Sequence, residues 1–261
     1  MAEVVIVDDE DAAGAIVADA IVALIRRKPD AVLGLATGST PLATYRALAA
    51  RIADDRIDVR GVRGFALDEY VGLPAGHPES YRSVITREVV EPLGLTPELV
   101  RVPNGDPGSI RTAGADFEES LLAAGGVDLQ ILGIGRTGHI GFNEPGSSLA
   151  SLTRVKTLTR PTRDDNARFF DSPDEVPMHC ITQGIGTILR ARHLVLLAFG
   201  EAKARAVAAA VEGPVSAMQP GSAIQLHPHT TVIVDAAAAS ALANLDYYRH
   251  AWANKPDWQR I

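Results

Sequence analysis

One short stretch of the chain, residues 132–148, combines the residue types that acid–base chemistry needs. Three glycines follow an apolar run there, His139 comes directly after them, and Glu144 lies a few residues further on. A histidine exchanges protons near neutral pH, and a nearby carboxylate can orient its ring. The glycines predict a tight turn whose backbone lies close to a ligand. The alternative is an ordinary glycine-rich turn with a surface histidine.

The segment Thr37-Gly38-Ser39-Thr40 stands between a predicted strand and a predicted helix that begins at Pro41. The N–H groups of a helix start attract anions, and small hydroxyl residues add further donors. The glycine and lysine spacings of the P-loop and of the dinucleotide-binding pattern are absent. The segment therefore predicts a phosphate site, an ordinary N-cap in which Thr40 or Ser39 satisfies the helix, or both.

Two adjacent carboxylates, Asp68 and Glu69, follow a third predicted strand. Neighbouring side chains of an extended segment point to opposite faces, so at most one of the two faces a common pocket. Burial in a partly apolar pocket raises the pKa of a carboxyl group and makes it a usable base. The alternative is that both are solvated loop residues.

Two cations have positions that favour an anionic ligand. Lys203 lies in the first turn of a predicted helix, where the helix dipole disfavours a cation unless an anion is bound nearby. Arg168 ends a locally basic run, 154–168, in a chain whose net charge is −7. This acidic balance and the few aromatic residues of the run argue against nucleic acid and anionic membranes as partners. A small phosphorylated ligand fits better, although a solvated lysine is the alternative.

Composition and periodicity indicate an α/β protein. The 261 residues are 46% hydrophobic and 22% charged, as in ordinary globular enzymes. The pattern predicts one domain, 1–261, with an open, mostly parallel sheet and helices on both faces, a Rossmann-like doubly wound arrangement. The predicted strands are 4–7, 31–36, 65–67, 128–132, 193–199 and 231–234. The predicted helices are 12–27, 41–52, 79–90, 110–124, 201–211 and 236–248.

The remaining chemistry-bearing residues favour structural roles. A single cysteine, Cys180, excludes an internal disulfide and is expected to be a buried thiol on a helix face. His227 and His229 flank a proline without the carboxylate spacing of a metal site, which favours a structural turn. No apolar run reaches membrane-span length, and the N-terminus lacks a basic signal region, so a cytoplasmic location is expected. The residues alone indicate an enzyme that acts on a small phosphate ester without a metal or a nucleotide cofactor.

Several segments, in order and over nearly the whole chain, resemble the glucosamine-6-phosphate deaminase family. The most specific are LDEYVGLPAGHPESY (67–81) and LGIGRTGHIGFNEPGSSLASLTRVKTLT (132–159). The others are NARFF (166–170), ITQGIGTIL (181–189), AAVEGPV (209–215) and QLHP (225–228). The resemblance implies conversion of glucosamine 6-phosphate and water to fructose 6-phosphate and ammonia, with no metal and no cofactor.

The resemblance also implies a role for each candidate. Asp68 is expected to move the C2 proton to C1, and His139, oriented by Glu144, to assist opening of the sugar ring. The residues expected to bind the phosphate are Gly38, Ser39, Thr40, Arg168 and Lys203.

The sequence departs from the family pattern at Thr137. Many members carry an aspartate there, so His139 is expected to titrate lower and the pH profile to differ. Thr137 is retained as a candidate catalytic position.

A second phosphate site is implied for an allosteric activator, N-acetylglucosamine 6-phosphate, between subunits of a homo-oligomer such as a hexamer or trimer. The matching residues are Ser147, Ser148, Arg154, Lys156, Thr157 and Tyr247. The alternative is that this set only anchors the loop. Two other functions stay open: a hydrolase like the 6-phosphogluconolactonases, against which the FNEP and DEY segments argue, and a silent sugar-phosphate sensor.

Overall fold

A computed structural model describes residues 2–256, 258, 259 and 261. The strands of this part of the chain are β1 (Glu3–Val7), β2 (Val32–Leu35), β3 (Arg63–Ala66), β4 (Asp68–Tyr70), β5 (Val100–Arg101), β6 (Leu129–Gly133), β7 (Arg154–Thr157), β8 (His179–Thr182), β9 (Leu194–Ala198) and β10 (Thr230–Asp235). Seven of them form one parallel sheet in the order β1-β10-β9-β6-β2-β3-β5.

The central strands of this sheet are apolar and covered on both faces. Every residue of β2 and of β9 is buried, and β6 is buried up to its last residue. A parallel strand is buried throughout when helices cover both faces of its sheet. The predicted open, parallel, doubly wound α/β fold is therefore confirmed.

The strand order reverses between β2 and β6. From β2 the chain moves outward through β3 to β5, and it then returns to β6 and continues through β9 to β10. In open α/β sheets, ligands bind beyond the carboxyl ends of the strands at such a reversal. The loops that follow β2 and β6 are the predicted segments 37–40 and 133–148.

Helices connect these strands. They are α1 (Glu10–Arg27), α2 (Leu42–Asp55), α3 (Tyr81–Ile85), α4 (Glu91–Leu93), α5 (Ile110–Ala123), α6 (Arg160–Asn166), α7 (Ile185–Ile188), α8 (Ala204–Val211) and α9 (Leu245–Ala253). A π-helical segment, Thr86–Val90, joins α3 to α4, so the helix predicted at 79–90 is shifted and is partly π-helical. The start of α1 shows the expected capping, because Asp9 accepts a hydrogen bond from the Ala12 N–H at 2.8 Å.

A second sheet was not predicted. It is antiparallel, has the order β4-β8-β7, and pairs Asp68 with Thr182. Its three strands are short, so neither length nor alternation distinguishes them from loops. Asp68 therefore lies in a strand of its own, not in a loop after β3. Cys180 is buried as predicted, but on strand β8, so the expected helix face is wrong.

The alanine-rich C-terminal region also differs from the prediction. Residues 236–242 form turns, and the last helix, α9, begins only at Leu245. The Asp235 carboxylate accepts hydrogen bonds from the N–H groups of Ala238 and Gly200, which stabilises the turn after β10. Among the described residues, no helix has both the length and the apolar character that a membrane crossing requires.

Candidate functional site

The candidate residues follow four neighbouring strands of the large sheet. Residues 37–40 come after β2, Asp68 follows β3, residues 135–144 follow β6, and Lys203 follows β9. These strands are parallel neighbours around the reversal of strand order, so their carboxyl ends lie at one edge. The fold thus brings the four segments to the edge where a ligand is expected.

Asp68 is a buried carboxyl group beside the glycine-rich loop. Its carboxylate lies beside Thr182 and Phe142, and the Phe142 N–H donates to the Thr182 hydroxyl at 3.1 Å. Burial, reinforced by the charge of Glu69, raises the pKa of Asp68 to about 8. The loop approaches it closely, since a Cβ atom on Gly141 would lie 3.4 Å from Oδ2 of Asp68. The group can therefore take up and return a proton near neutral pH.

Glu69 points the other way, as predicted for adjacent residues of an extended segment. Its carboxylate accepts hydrogen bonds from the N–H groups of Tyr70, Tyr81 and Arg82 at 2.8–2.9 Å. Two of these donors belong to the start of α3, so Glu69 anchors a helix N-terminus. Of the two carboxylates, only Asp68 faces the glycine-rich loop.

The glycines of the His139 loop are required by close packing. A Cβ on Gly135 would lie 2.2 Å from the His139 ring, and one on Gly138 would lie 2.0 Å from the Gln219 side chain. Gly138 also has a φ of 81°, which disfavours other residues. The loop therefore holds the imidazole tightly against its own backbone.

His139 and Glu144 lie within ion-pair distance, and the Thr137 hydroxyl bridges them. Nδ1 of His139 lies 3.1 Å from Oε1 of Glu144 and 2.9 Å from the Thr137 hydroxyl. The Thr137 hydroxyl also donates to Oε2 of Glu144 at 3.0 Å, and Thr162 donates to Oε1. Although burial opposes it, hydrogen bonding to His139, Thr162 and Thr137 lowers the pKa of Glu144 to about 2. The ionised carboxylate thus fixes Nδ1 and leaves Nε2 as the nitrogen for proton exchange with a ligand.

Cations gather beside this pair. Burial lowers the pKa of Lys203; the nearby Arg136 and Arg168 lower it further, whereas Asp165 opposes them. Arg136 pairs with Asp165 at 2.6 Å. Lys203 ends a 3₁₀ turn, Glu201–Lys203, which leads into α8, so it precedes the α-helix itself. A concentration of cations with one partly compensating carboxylate favours an anionic ligand.

The segment after β2 has the geometry of an open anion site. Gly38 has a φ of 90° with open space around it, and Ser39 is exposed. Within the described part of the chain, no side chain caps α2, whose N-cap residue is Pro41. The alternative in which Thr40 or Ser39 caps this helix is therefore wrong. The Thr37 side chain lies beside that of Tyr81, whose buried hydroxyl is also within electrostatic reach of Asp68.

The proposed allosteric residues are only partly brought together. Arg154 donates to Oδ1 of Asn143 at 2.8 Å and so contacts the His139 loop directly. Lys156 and Thr157 lie on the same strand, β7. Ser148 accepts from the Ala150 N–H, and the Ser147 hydroxyl is buried without a partner among the described residues. Tyr247 is 55% exposed on α9, which packs against β1.

Sequence reasoning missed several residues of the site. Thr162 and Asn166 lie on α6, Arg136 lies in the glycine-rich loop, and Tyr70 accepts a hydrogen bond from Asn166 at 2.9 Å. One signal for α6 was present: Thr159 caps the helix, and Pro161 stands in its first turn. Nothing local indicated that this helix would dock on Glu144.

His227 and His229 form the predicted turn, in which the His229 N–H donates to Nδ1 of His227.

Comparisons with known proteins agree with this geometry. Residues 9–233 match the family described as glucosamine-6-phosphate isomerases/6-phosphogluconolactonase. The chain is 62% identical over 260 residues to glucosamine-6-phosphate deaminase of Streptomyces coelicolor, covering 99% of this chain and 100% of that protein.

Solved structures share the fold. A monomeric glucosamine-6-phosphate deaminase, described as a missing link of the NagB superfamily, superposes with a TM-score of 0.89 at 40% identity, covering 92% of this chain and 99% of that one. The 6-phosphogluconolactonase of Trypanosoma brucei has a TM-score of 0.72 at 18% identity, covering 93% and 99%. At that identity the second likeness shows the fold alone.

Proposed function

Because this chain belongs to the family of glucosamine-6-phosphate isomerases and 6-phosphogluconolactonases, we propose that it converts glucosamine 6-phosphate and water to fructose 6-phosphate and ammonia. The observation that carries the proposal is that two acid–base groups lie at one loop. Asp68 contacts the loop at Gly141 and Phe142, and His139 with Glu144 lies in the same loop. Full-length relatives near 60% identity bear the name of this activity.

The phosphate of the substrate binds at the cationic end of the site. The N–H groups of Gly38, Ser39 and Thr40, just before α2, would donate to the phosphate, and Arg168 and Lys203 would supply the charges. The lowered pKa of Lys203 supports this role, because a dianionic phosphate offsets the repulsion that its neighbours exert.

Ring opening uses the imidazole. His139 moves a proton from the C1 hydroxyl to the ring oxygen, which breaks the C1–O5 bond and leaves an aldehyde at C1. Glu144 holds Nδ1 and stabilises the imidazolium that forms. Thr137 supplies a hydroxyl where many relatives are expected to carry a carboxylate, so less negative charge supports the imidazolium.

Proton transfer between C2 and C1 uses Asp68. The carboxylate takes the C2 proton, and the ammonium group on C2 gives one of its protons to the C1 aldehyde oxygen, which gives a neutral enolamine. Asp68 then returns the proton to C1, leaving a protonated imine at C2. Water adds to C2 and ammonia leaves, which gives the ketone. A pKa of about 8 suits a group that must accept and release the same proton near neutrality.

An ammonia-release assay tests the proposal. Purified protein is incubated separately with glucosamine 6-phosphate and with 6-phosphogluconolactone, and ammonia and acid are measured. Ammonia from the first sugar, lost in Asp68→Asn, is the expected result. Acid release from the lactone alone would assign the chain to the lactonase branch. Binding of glucosamine 6-phosphate without turnover at any pH would indicate a sensor.

Activation by N-acetylglucosamine 6-phosphate is part of the proposal. Its supporting contact is the hydrogen bond from Arg154 to Asn143, which joins β7 to the His139 loop. In this proposal Tyr247 reaches the other residues from a neighbouring subunit of a homo-oligomer, although a solved relative is described as monomeric. Titration of the activator at low substrate tests it, with Arg154→Ala as the variant that should lose the response. The cytoplasmic location stays a prediction.

A further inference from the structure

Glu144 receives a hydrogen bond from a residue outside its own loop. Thr162 is buried in α6, and its hydroxyl donates to Oε1 of Glu144. The same oxygen lies 3.1 Å from Nδ1 of His139, and Oε2 accepts from Thr137. Both carboxylate oxygens are therefore engaged, and Thr162 is the only one of these three partners that comes from another part of the chain.

The hydroxyl of Thr162 has a defined direction. The Thr159 hydroxyl lies 3.1 Å from it and donates to its oxygen, while the Thr162 N–H donates back to the Thr159 hydroxyl. Because the oxygen of Thr162 already accepts a hydrogen bond, its own hydrogen is free to point at Glu144. The N-terminal cap of α6 thus orients the donor.

Two further contacts hold α6 in place. Asp165 pairs with Arg136 at 2.6 Å, and the Asn166 amide donates to the Tyr70 hydroxyl at 2.9 Å. Arg168, a proposed phosphate ligand, lies in the 3₁₀ turn that follows α6 directly. The segment that carries this arginine therefore also carries Thr162.

We infer that Thr162 is a positioning residue: while α6 is docked, its hydroxyl holds Glu144 in the orientation that supports His139. The inference rests on the proposed deaminase function and deepens it. It connects the phosphate end of the site to the ring-opening pair, because docking of one short helix serves both. Thr162 does not contact the reacting atoms and acts through Glu144.

The test compares Thr162→Val, which removes the hydroxyl and keeps the shape, with Thr162→Ser, which restores the hydroxyl. Loss of a hydrogen bond to a charged acceptor should lower the kcat of ammonia release by about ten- to hundredfold in Thr162→Val. The KM for glucosamine 6-phosphate should stay within about twofold, because the phosphate ligands are intact. Thr162→Ser should recover most of the wild-type kcat. Thr162→Ala provides a second variant without the hydroxyl if the valine disturbs folding.

Thr187→Val is a matched control. Thr187 donates its hydroxyl to another buried carboxylate, Oε1 of Glu118, at 2.5 Å. In Thr187→Val, Glu118 still accepts a hydrogen bond from Thr153 and still pairs with Arg190. In Thr162→Val, Glu144 likewise still contacts Thr137 and His139. Thr187→Val should lose about as much thermal stability as Thr162→Val, and it should retain the wild-type kcat.

The outcomes separate the two levels of the proposal. If the wild-type protein releases no ammonia, the proposed function fails and this inference fails with it. If the wild type is active but Thr162→Val and Thr162→Ala both retain its kcat, only the inference is overturned. A rise in KM without a fall in kcat also overturns it, since that result means that Thr162 serves only to dock α6 and Arg168.

Discussion

Replacement of Asp68 by asparagine should inactivate the protein and stabilise it, with a gain that depends on pH. In the folded state burial favours the protonated form of Asp68, because its pKa rises from 3.8 to about 8. The protonated form therefore contributes stability below about pH 4, and this contribution is lost as the pH rises towards about 8. Asparagine stays neutral throughout and avoids that loss.

The size of the effect follows from the pKa. Each pKa unit corresponds to about 1.4 kcal/mol, so ionisation of Asp68 costs the fold at most about 6 kcal/mol at pH 8 and above. The amide of asparagine brings N–H donors into the same buried place, and leaving them without partners costs about 1–3 kcal/mol. The net gain at high pH is then roughly 3–5 kcal/mol, or on the order of 10 °C in Tm for a chain of this size.

Thermal unfolding of the wild type and of Asp68→Asn, followed in steps between about pH 5 and about pH 8, measures this gain. The difference in Tm should widen as the pH rises. Glu144→Gln serves as the control, because the lowered pKa of Glu144 places its own pH dependence below about 4.5. The difference in Tm between Glu144→Gln and the wild type should be constant over the same pH range. A constant Tm difference for Asp68→Asn would refute the buried-base argument.

Three further changes test other parts of the site and the fold. Lys203→Ala should raise KM about tenfold or more with a smaller change in kcat, as steady-state kinetics would show, because one charged phosphate contact is lost. Gly38→Ala should weaken inhibition by inorganic phosphate, measured as Ki, because a φ of 90° strains an alanine even in open space. His193 stacks on His229 at 3.7 Å, and burial, aided by His229, His227 and Lys255, lowers the pKa of His193 to about 3. The neutral ring stabilises the fold above about pH 6.5, and this contribution is lost as the pH falls towards 3. His193→Gln should therefore flatten the loss of Tm between about pH 6.5 and about pH 4.

Six of the seven strands of the large sheet were predictable because they are apolar runs separated by helical periodicity, whereas the two residues of β5 were too few to give a signal. The small sheet was not, since its strands of three or four residues have neither the length nor the alternation that would distinguish them from loops. The prediction for the alanine-rich segment after β10 was also wrong. High helix propensity predicted a helix at 236–248, but the Asp235 carboxylate fixes a turn there instead.

Within the site, residues next to strand ends could be found from the sequence because the parallel sheet gathers those ends. His139, Glu144, Asp68 and Lys203 all belong to this class. Thr162 does not, because α6 follows the antiparallel strand β7 and its docking depends on tertiary contacts that have no local signature.

The antiparallel pairing explains how one site holds two carboxylates in opposite protonation states. Strand β4 buries Asp68 beside Thr182 and Phe142, and the polar groups there only partly offset the loss of solvent and the charge of Glu69. Glu144 lies in the same loop as Phe142, but it faces a histidine and two hydroxyls, which favour its ionised form. Groups whose environments separate their pKa values in this way are suited to different acid–base roles. The small sheet therefore tunes the base, and the loop after β6, completed by α6, tunes the histidine's partner.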